Sequence, residues 1–223
     1  MKKIFALLLA ICCIFACVSC AEEEEPVGPT PEDVKAISDI INSSNPTQIS
    51  TNTEYVLGEE KYMGYYETQI DIAGGKSMFK YNYQRPASVQ EMNPNGPVKL
   101  VEGVVYYQDG KVSVNEGEDW NAADSQYIEL HISLDAVKLT EYSVSEDGKV
   151  LTATFAAADA ARILGTNISA EGTIKMTVTT NGQYLYNVRI EYTAATNGAS
   201  VVVDTSYDYR ATTLQFPGIA EEK

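Results

Sequence analysis

The order of apolar and polar residues predicts a helix just after residue 30 and a β-sheet from residue 48 onward. Apolar residues at a helical spacing form one stripe, which consists of Val34, Ile37, Ile40 and Ile41. Thr30 suits the N-cap position and Pro31 suits the first helical position. The run of Asn, Ser and Pro at 42–46 ends the helix. We expect the stripe to pack on the sheet.

Strict alternation of apolar and polar residues indicates strands in the first half of the sheet. Segments 66–72 and 79–83 alternate in this way, and Gly74-Gly75 between them predicts a two-residue hairpin turn. A further strand is predicted at 101–107, and Asp109-Gly110 turns it back into 111–114.

The C-terminal third gives the clearest pattern. Alternating segments are joined by Asn181-Gly182 and by Asn197-Gly198, which are strong turn signals. The alternating segments are 174–178, 186–192 and 201–209. Three strands joined in this way predict an antiparallel meander with one dry face and one wet face.

Shorter elements are predicted between these two groups of strands. Strands are indicated at 142–144 and 150–155, and the Ala-rich segment 156–164 should be helical, with Gly165 closing it. Segment 128–139 is ambiguous, and we interpret it as a short strand followed by a helical turn near 135–139.

These elements together predict an α+β fold. We expect a curved antiparallel β-sheet, in the form of an incomplete barrel, covered by the N-terminal helix and short inserted helices. The reason is that the dry face of such a sheet must be buried by another layer, and the helices are available for it.

The first 20 residues have the form of a secretory signal peptide. Lys2 and Lys3 precede an apolar run from Ile4 to Val18, which is shorter than the roughly 20 residues needed to span a bilayer. Residues 21–29 contain four consecutive Glu together with Pro and Gly, and are predicted to be an acidic flexible tether. Residues 30–223 are then expected to form a single α+β domain.

The end of the leader resembles the lipobox of bacterial lipoproteins. The resemblance depends on Val18-Ser19-Cys20, in which a small residue precedes the cysteine; Cys17 is a second candidate. It implies that Cys20 carries a diacylglyceryl group and that the protein is an extracytoplasmic lipoprotein, anchored to a bacterial membrane by acyl chains such as palmitate. A plain secreted protein remains the alternative.

Composition excludes several classes of function. The net charge is 16 − 31 = −15, which argues against a nucleic-acid partner. All four Cys lie in the leader and the chain has one His, so the domain has no disulfide, thiolate site or multi-His metal site. His131 has no Gly-x-Ser-x-Gly motif to act with, and the acidic loop 116–124 lacks EF-hand spacing. We therefore expect no enzymatic activity, no cofactor and no metal.

The pattern of the domain resembles the LolA/LppX-like group of bacterial lipoproteins and lipoprotein carriers. The resemblance depends on Tyr66-Glu67-Thr68, on the segment 104–110, on the helix at 156–165 and on the meander at 172–209. The group folds as an incomplete barrel around an apolar cavity that binds acyl chains. It implies an inward, ligand-facing set of residues made of Tyr66, Ile70, Phe79, Tyr81, Val188, Ile190 and Tyr192. A solid core made by the same residues is the alternative.

The resulting hypothesis is a lipid-anchored protein that binds an apolar ligand, such as an acyl chain, a lipid or a lipoprotein, without catalysis. The 15 Tyr residues and Trp120 leave open a surface carbohydrate-binding or adhesion module. A structural cell-surface domain with no small ligand is the third possibility. The sequence identifies no protein partner.

Overall fold

Eleven strands form one antiparallel sheet in the part of the chain that the computed structural model describes, residues 30–85, 99–108, 110–114, 121–122 and 132–216. The chain divides into two units, Met1–Thr30 and Pro31–Lys223, and the elements below belong to the second. Several predictions concern residues outside the described ranges: the signal peptide, the tether, Cys17, Cys20, Trp120 with the acidic loop apart from residues 121–122, and His131.

The strands are numbered in the order in which they occur along the chain. Their bounds are β1 Gln48–Leu57, β2 Glu60–Asp71, β3 Lys76–Arg85, β4 Lys99–Gln108, β5 Lys111–Val114, β6 Asn121–Ala122, β7 Glu141–Val144, β8 Val150–Ala156, β9 Thr173–Thr180, β10 Leu185–Thr193 and β11 Ser200–Asp208.

Two α-helices and two 3₁₀ turns accompany the sheet among the described residues. Helix α1 is Pro31–Ser43 and helix α2 is Ala160–Leu164, which ends at Gly165 in the left-handed conformation with φ 67°. The 3₁₀ turns are Ala136–Lys138 and Ala157–Asp159. The helices predicted after residue 30 and before Gly165 are therefore present.

The sheet consists of two meanders that are joined where β1 pairs with β11. Its order is β6-β5-β4-β3-β2-β1-β11-β10-β9-β8-β7, and the described edge strands β6 and β7 do not pair with each other, so the sheet is open. The β1–β11 register runs from Gln48 opposite Asp208 to Val56 opposite Ser200. The antiparallel meander predicted at the C-terminal end is confirmed as β9–β10–β11.

Three predicted turns are wider than expected, and the one at Asn197-Gly198 has the most connecting residues, 194–199. The Gly74-Gly75 hairpin has four connecting residues, because strand pairing ends at Asp71 opposite Lys76 and the Asp71 carboxylate accepts the Gly74 N–H at 2.9 Å. The loop after Thr180 is likewise wider, because the Asn181 side-chain oxygen accepts the Gln183 and Tyr184 N–H groups at 2.9 and 2.8 Å. Side-chain acceptors of this kind stabilise a turn in place of a two-residue hairpin.

The predicted helix at 156–164 begins later than expected. Ala156 pairs with Thr173 as the last residue of β8, and a 3₁₀ turn separates it from α2. Sheet pairing therefore overrides the helix propensity of the first alanines.

One end of the sheet is covered by a filled core. Val34, Ile37 and Ile41 of α1 are buried in one cluster with Ile163 and Leu164 of α2 and with side chains of β8–β10, which include Leu151, Phe155, Ile174, Met176, Val178 and Val188. Strands β2–β4 contribute no described side chain to this cluster. Among the described residues, the two helices therefore share a buried cluster with the β8–β10 end of the sheet.

We predict that Ile37→Ala lowers the free energy of unfolding by about 2–5 kcal/mol, because Ile37 is 1 % exposed and its removal leaves a cavity. Lys35→Ala on the exposed side of α1 is the control. It loses only an exposed ion pair with Asp39, and its effect should stay within about 0.5 kcal/mol. Urea titration followed by circular dichroism measures both. Equal effects of the two substitutions would show that α1 does not belong to the core.

Candidate ligand-binding cleft

The face that carries the core cluster continues across β1–β4, where Glu60, opposite Leu57 at the start of β2, is the one charged residue among the side chains that the structure describes. The registers of β1, β2, β3 and β4 place these residues on that side. They are Ile49, Thr51, Thr53, Tyr55, Leu57, Tyr62, Gly64, Tyr66, Thr68, Ile70, Ser77, Phe79, Tyr81, Tyr83, Val101, Gly103, Val105 and Tyr107. We refer to this set as the uncharged face.

The opposite side of the same strands is charged. It carries Glu54, Lys61, Glu67, Lys80 and Glu102 at the alternate positions. Most members of the uncharged face are half-buried. Large apolar residues that stay partly exposed on an ordered sheet are typical of a binding surface.

A semi-open cleft of about 660 Å³ lies against this face. Its apolar lining comes from β1, β2, β3, β10 and β11 and includes Ile49, Tyr66, Ile70, Phe79, Ile190, Tyr192 and Val203. Residues 166–168, which follow α2, also contribute to the lining. The volume lies in the range of about 300–1,000 Å³ that is usual for small-molecule sites.

Five of the seven residues predicted to face a ligand line the cleft, namely Tyr66, Ile70, Phe79, Ile190 and Tyr192. Val188 points to the same side but is fully buried in the core cluster. Tyr81 lies on the uncharged face outside the cleft lining, with its ring centroid 5.8 Å from that of Phe79. Whether these residues bind a ligand remains a prediction.

The contributions of β1, β11 and residues 166–168 to the cleft were not predicted from the sequence. Ile49 and Thr51 of β1 and Val203 and Thr205 of β11 line it. The alternation Ile49, Thr51, Thr53, Tyr55 was the available signal. It is weak because Thr and Ser occupy positions on both sides of this strand.

The hydroxyl groups within the cleft are neutral and partly paired with each other. The Oγ1 atoms of Thr51 and Thr205 are 3.0 Å apart across the β1–β11 junction, and Thr205 is 3 % exposed. Burial raises the pKa of the Tyr66 and Tyr192 phenols above its usual value, so both remain protonated at neutral pH. The interior of the cleft therefore carries no charge from these groups.

The charged groups of the lining lie at the β2–β3 hairpin. Asp71 is buried, and its two carboxylate oxygens accept the N–H groups of Gly74 at 2.9 Å and Leu214 at 3.2 Å. These backbone hydrogen bonds, that of Gly74 first, lower the pKa of Asp71. The Lys76 ammonium lies 5.6 Å from the centroid of the Phe216 ring. Both groups thus hold the hairpin beside the C-terminal segment.

The strand geometry also positions Tyr66. A Cβ atom at Gly64 would lie 3.0 Å from Cε2 of Tyr66, so the ring occupies the space that a side chain at position 64 would need. A glycine in a strand often marks such a close approach. The Tyr66 ring is held over Gly64 and packs against Phe79, with the ring centroids 6.3 Å apart.

The lining offers hydrocarbon and aromatic contact together with neutral hydroxyl groups. Asp71 is its single carboxylate, and that carboxylate accepts two backbone hydrogen bonds. The described residues contain no group of three or more His, Cys, Asp or Glu side chains placed to hold a metal ion. None of the described helices is long and apolar enough to cross a membrane.

No protein-family model matches the chain. No curated protein matches it either. Among solved structures, the chain is similar to a hypothetical protein from Chlamydia trachomatis at 7 % identity and a TM-score of 0.32, over 83 % of this chain and 97 % of that one. It is similar to a LolA superfamily protein from Nitrosomonas europaea at 12 % identity and a TM-score of 0.31, over 83 % and 96 % of the two chains.

A DUF1329 family protein from Desulfovibrio piger is similar at 12 % identity and a TM-score of 0.30, over 84 % of this chain and 95 % of that one. Likenesses at these TM-scores carry no argument about the fold or the ligand. The geometry of the cleft and the sequence are therefore the basis for assigning a function.

Proposed function

We propose that the protein binds an apolar ligand, such as an acyl chain or a lipid, in the cleft and without catalysis. The single observation that carries this proposal is the uncharged, half-buried face of β1–β4 around a cleft of about 660 Å³. Each square ångström of apolar surface removed from water contributes about 25 cal/mol. A hydrocarbon ligand that covers these side chains would gain this contribution.

The same lining disfavours a carbohydrate. Sugar hydroxyl groups lose their hydrogen bonds to water in a cleft unless polar side chains replace them, and each unreplaced bond costs about 1–3 kcal/mol. Most lining residues from the strands are apolar, and the oxygens of Asp71, the single carboxylate, already accept hydrogen bonds from Gly74 and Leu214. A hydrocarbon has no such requirement.

We predict that Thr68→Trp lowers the affinity for a fluorescent fatty acid by about tenfold or more, which corresponds to about 1.4 kcal/mol. Thr68 lies in the cleft lining opposite Ile49 and Phe79, so an indole there occupies the volume that the ligand needs. The readout is a saturation titration of the full-length, delipidated chain with cis-parinaric acid.

Gln69→Trp is the matched control, because residue 69 is on the opposite side of the same strand. It adds the same side chain and should leave the affinity unchanged. Absence of saturable binding by the unsubstituted chain would contradict the proposal and favour a structural domain with no small ligand. Equal loss in both variants would show that binding occurs outside the cleft.

We further propose that the protein is extracytoplasmic and is anchored to a bacterial membrane through acyl groups on Cys20. This proposal is supported by the leader, in which Ser19 precedes Cys20 after an apolar run. Removal of the leader with its two Lys would give a net charge of 14 − 31 = −17. Such a chain is repelled by anionic headgroups and would need a covalent anchor to stay at a membrane.

We predict that Cys20→Ser abolishes incorporation of labelled palmitate into the protein in a bacterial host, whereas Cys17→Ser leaves it unchanged. The expected difference arises because a serine hydroxyl does not replace the cysteine sulfur as the site of thioether formation. Labelling that is lost with Cys17→Ser instead would identify Cys17 as the modified residue. Labelling absent from the unsubstituted protein would favour a plain secreted protein.

A further inference from the structure

Four aromatic side chains form a continuous row on the uncharged face. The Tyr66 ring centroid lies 6.3 Å from that of Phe79 and 6.1 Å from that of Tyr83, with interplanar angles of 10° and 21°. Tyr81 lies 5.8 Å from Phe79 and 6.2 Å from Tyr83 between ring centroids. We call these four residues of β2 and β3 the aromatic row.

The aromatic row begins in the cleft and leaves it. Tyr66 and Phe79 line the cleft, whereas Tyr81 and Tyr83 are not part of the lining. Phe79 and Tyr83 are four residues apart in β3, which corresponds to about 13 Å along a strand. The row therefore leads from the cleft toward the end of β3 that lies away from the β2–β3 hairpin.

Two glycines on the neighbouring strands flank the row. Gly64 of β2 is opposite Tyr83, and Gly103 of β4 is opposite Tyr81. Both glycines lie on the uncharged face and carry no side chain of their own, and the Tyr66 ring occupies the space over Gly64. Both tyrosine rings remain half-buried.

No charged residue lies between the rings on the side that carries them. Lys80 and Asn82, between the ring-bearing residues of β3, point to the opposite side. A charged part of a ligand on the row would lose hydration without gaining a partner, which is costly. The part of a ligand that the row favours is consequently uncharged hydrocarbon.

We propose that Tyr81 and Tyr83 form a second subsite for the same ligand that occupies the cleft, so that the chain of a long amphiphile continues from the cleft across Tyr66 onto these two rings. This inference rests on the proposed function, because the cleft supplies the first part of the binding site. The expected ligand is therefore extended, and its affinity should depend on the length of its hydrocarbon chain.

The test is a displacement titration with oleate and decanoate on the full-length chain, using cis-parinaric acid as the reporter. Tyr83→Ala should weaken oleate binding by about fivefold to tenfold, since a buried aromatic contact contributes on this scale. Decanoate binding should stay unchanged, because the shorter chain ends within the cleft. Tyr83→Phe keeps the ring and should restore the affinity for oleate.

Tyr65→Ala is the matched control, since Tyr65 lies on the opposite side of β2 and is exposed; it should not affect either ligand. Equal weakening of oleate and decanoate by Tyr83→Ala, or no weakening of oleate, would overturn the second subsite while leaving the cleft proposal intact. Failure of the unsubstituted chain to bind either fatty acid would overturn both. Unaltered affinity for decanoate shows that Tyr83→Ala is folded.

Discussion

The pairing of β1 with β11 is the contact on which the candidate site depends. It joins a meander near the N-terminal end to one near the C-terminal end, and the Thr51–Thr205 hydrogen bond within it spans 154 residues of sequence. Because of this pairing, Ile70 and Phe79 on one side line the same cleft as Ile190 and Val203 on the other. If the two meanders formed separate sheets, each would carry only part of the cleft lining. The entropy of closing so long a loop must be offset by the ladder and by the buried side chains.

The same face of the sheet is fully buried at one end and half-buried at the other. At β8–β10 its side chains share a buried cluster with α1 and α2, and Phe155, Ile174 and Met176 have no exposed surface. At β1–β4 it stays half-buried around the cleft. The filled end stabilises the fold, and the sheet then carries the uncharged face at the other end as a rigid surface. A site built on strands of this kind keeps its geometry better than one built on loops.

Period-two alternation was sufficient to predict which side of each strand the candidate residues occupy. All seven lie on one face, because the side-chain period of a strand is two whatever the tertiary contacts. It was not sufficient to predict which of them are buried. Val188 and Tyr192 share one side of β10, yet Val188 is opposite Val178 in the core and Tyr192 is opposite Val201 beside the cleft. That difference arises from where the helices pack. The partnership of β1 with β11 was also missed, since residues far apart in the chain leave no local signal of their pairing.

The most direct measurement of the central claim is a crystal structure of the full-length chain with a fatty acid that carries bromine on its hydrocarbon chain. The anomalous scattering of bromine locates the chain without reference to the shape of the electron density. The account predicts a bromine peak in contact with the uncharged face, next to side chains such as Tyr66, Phe79 or Ile190. A bromine peak on the charged side of the sheet, or a cleft that stays free of the fatty acid, would contradict it.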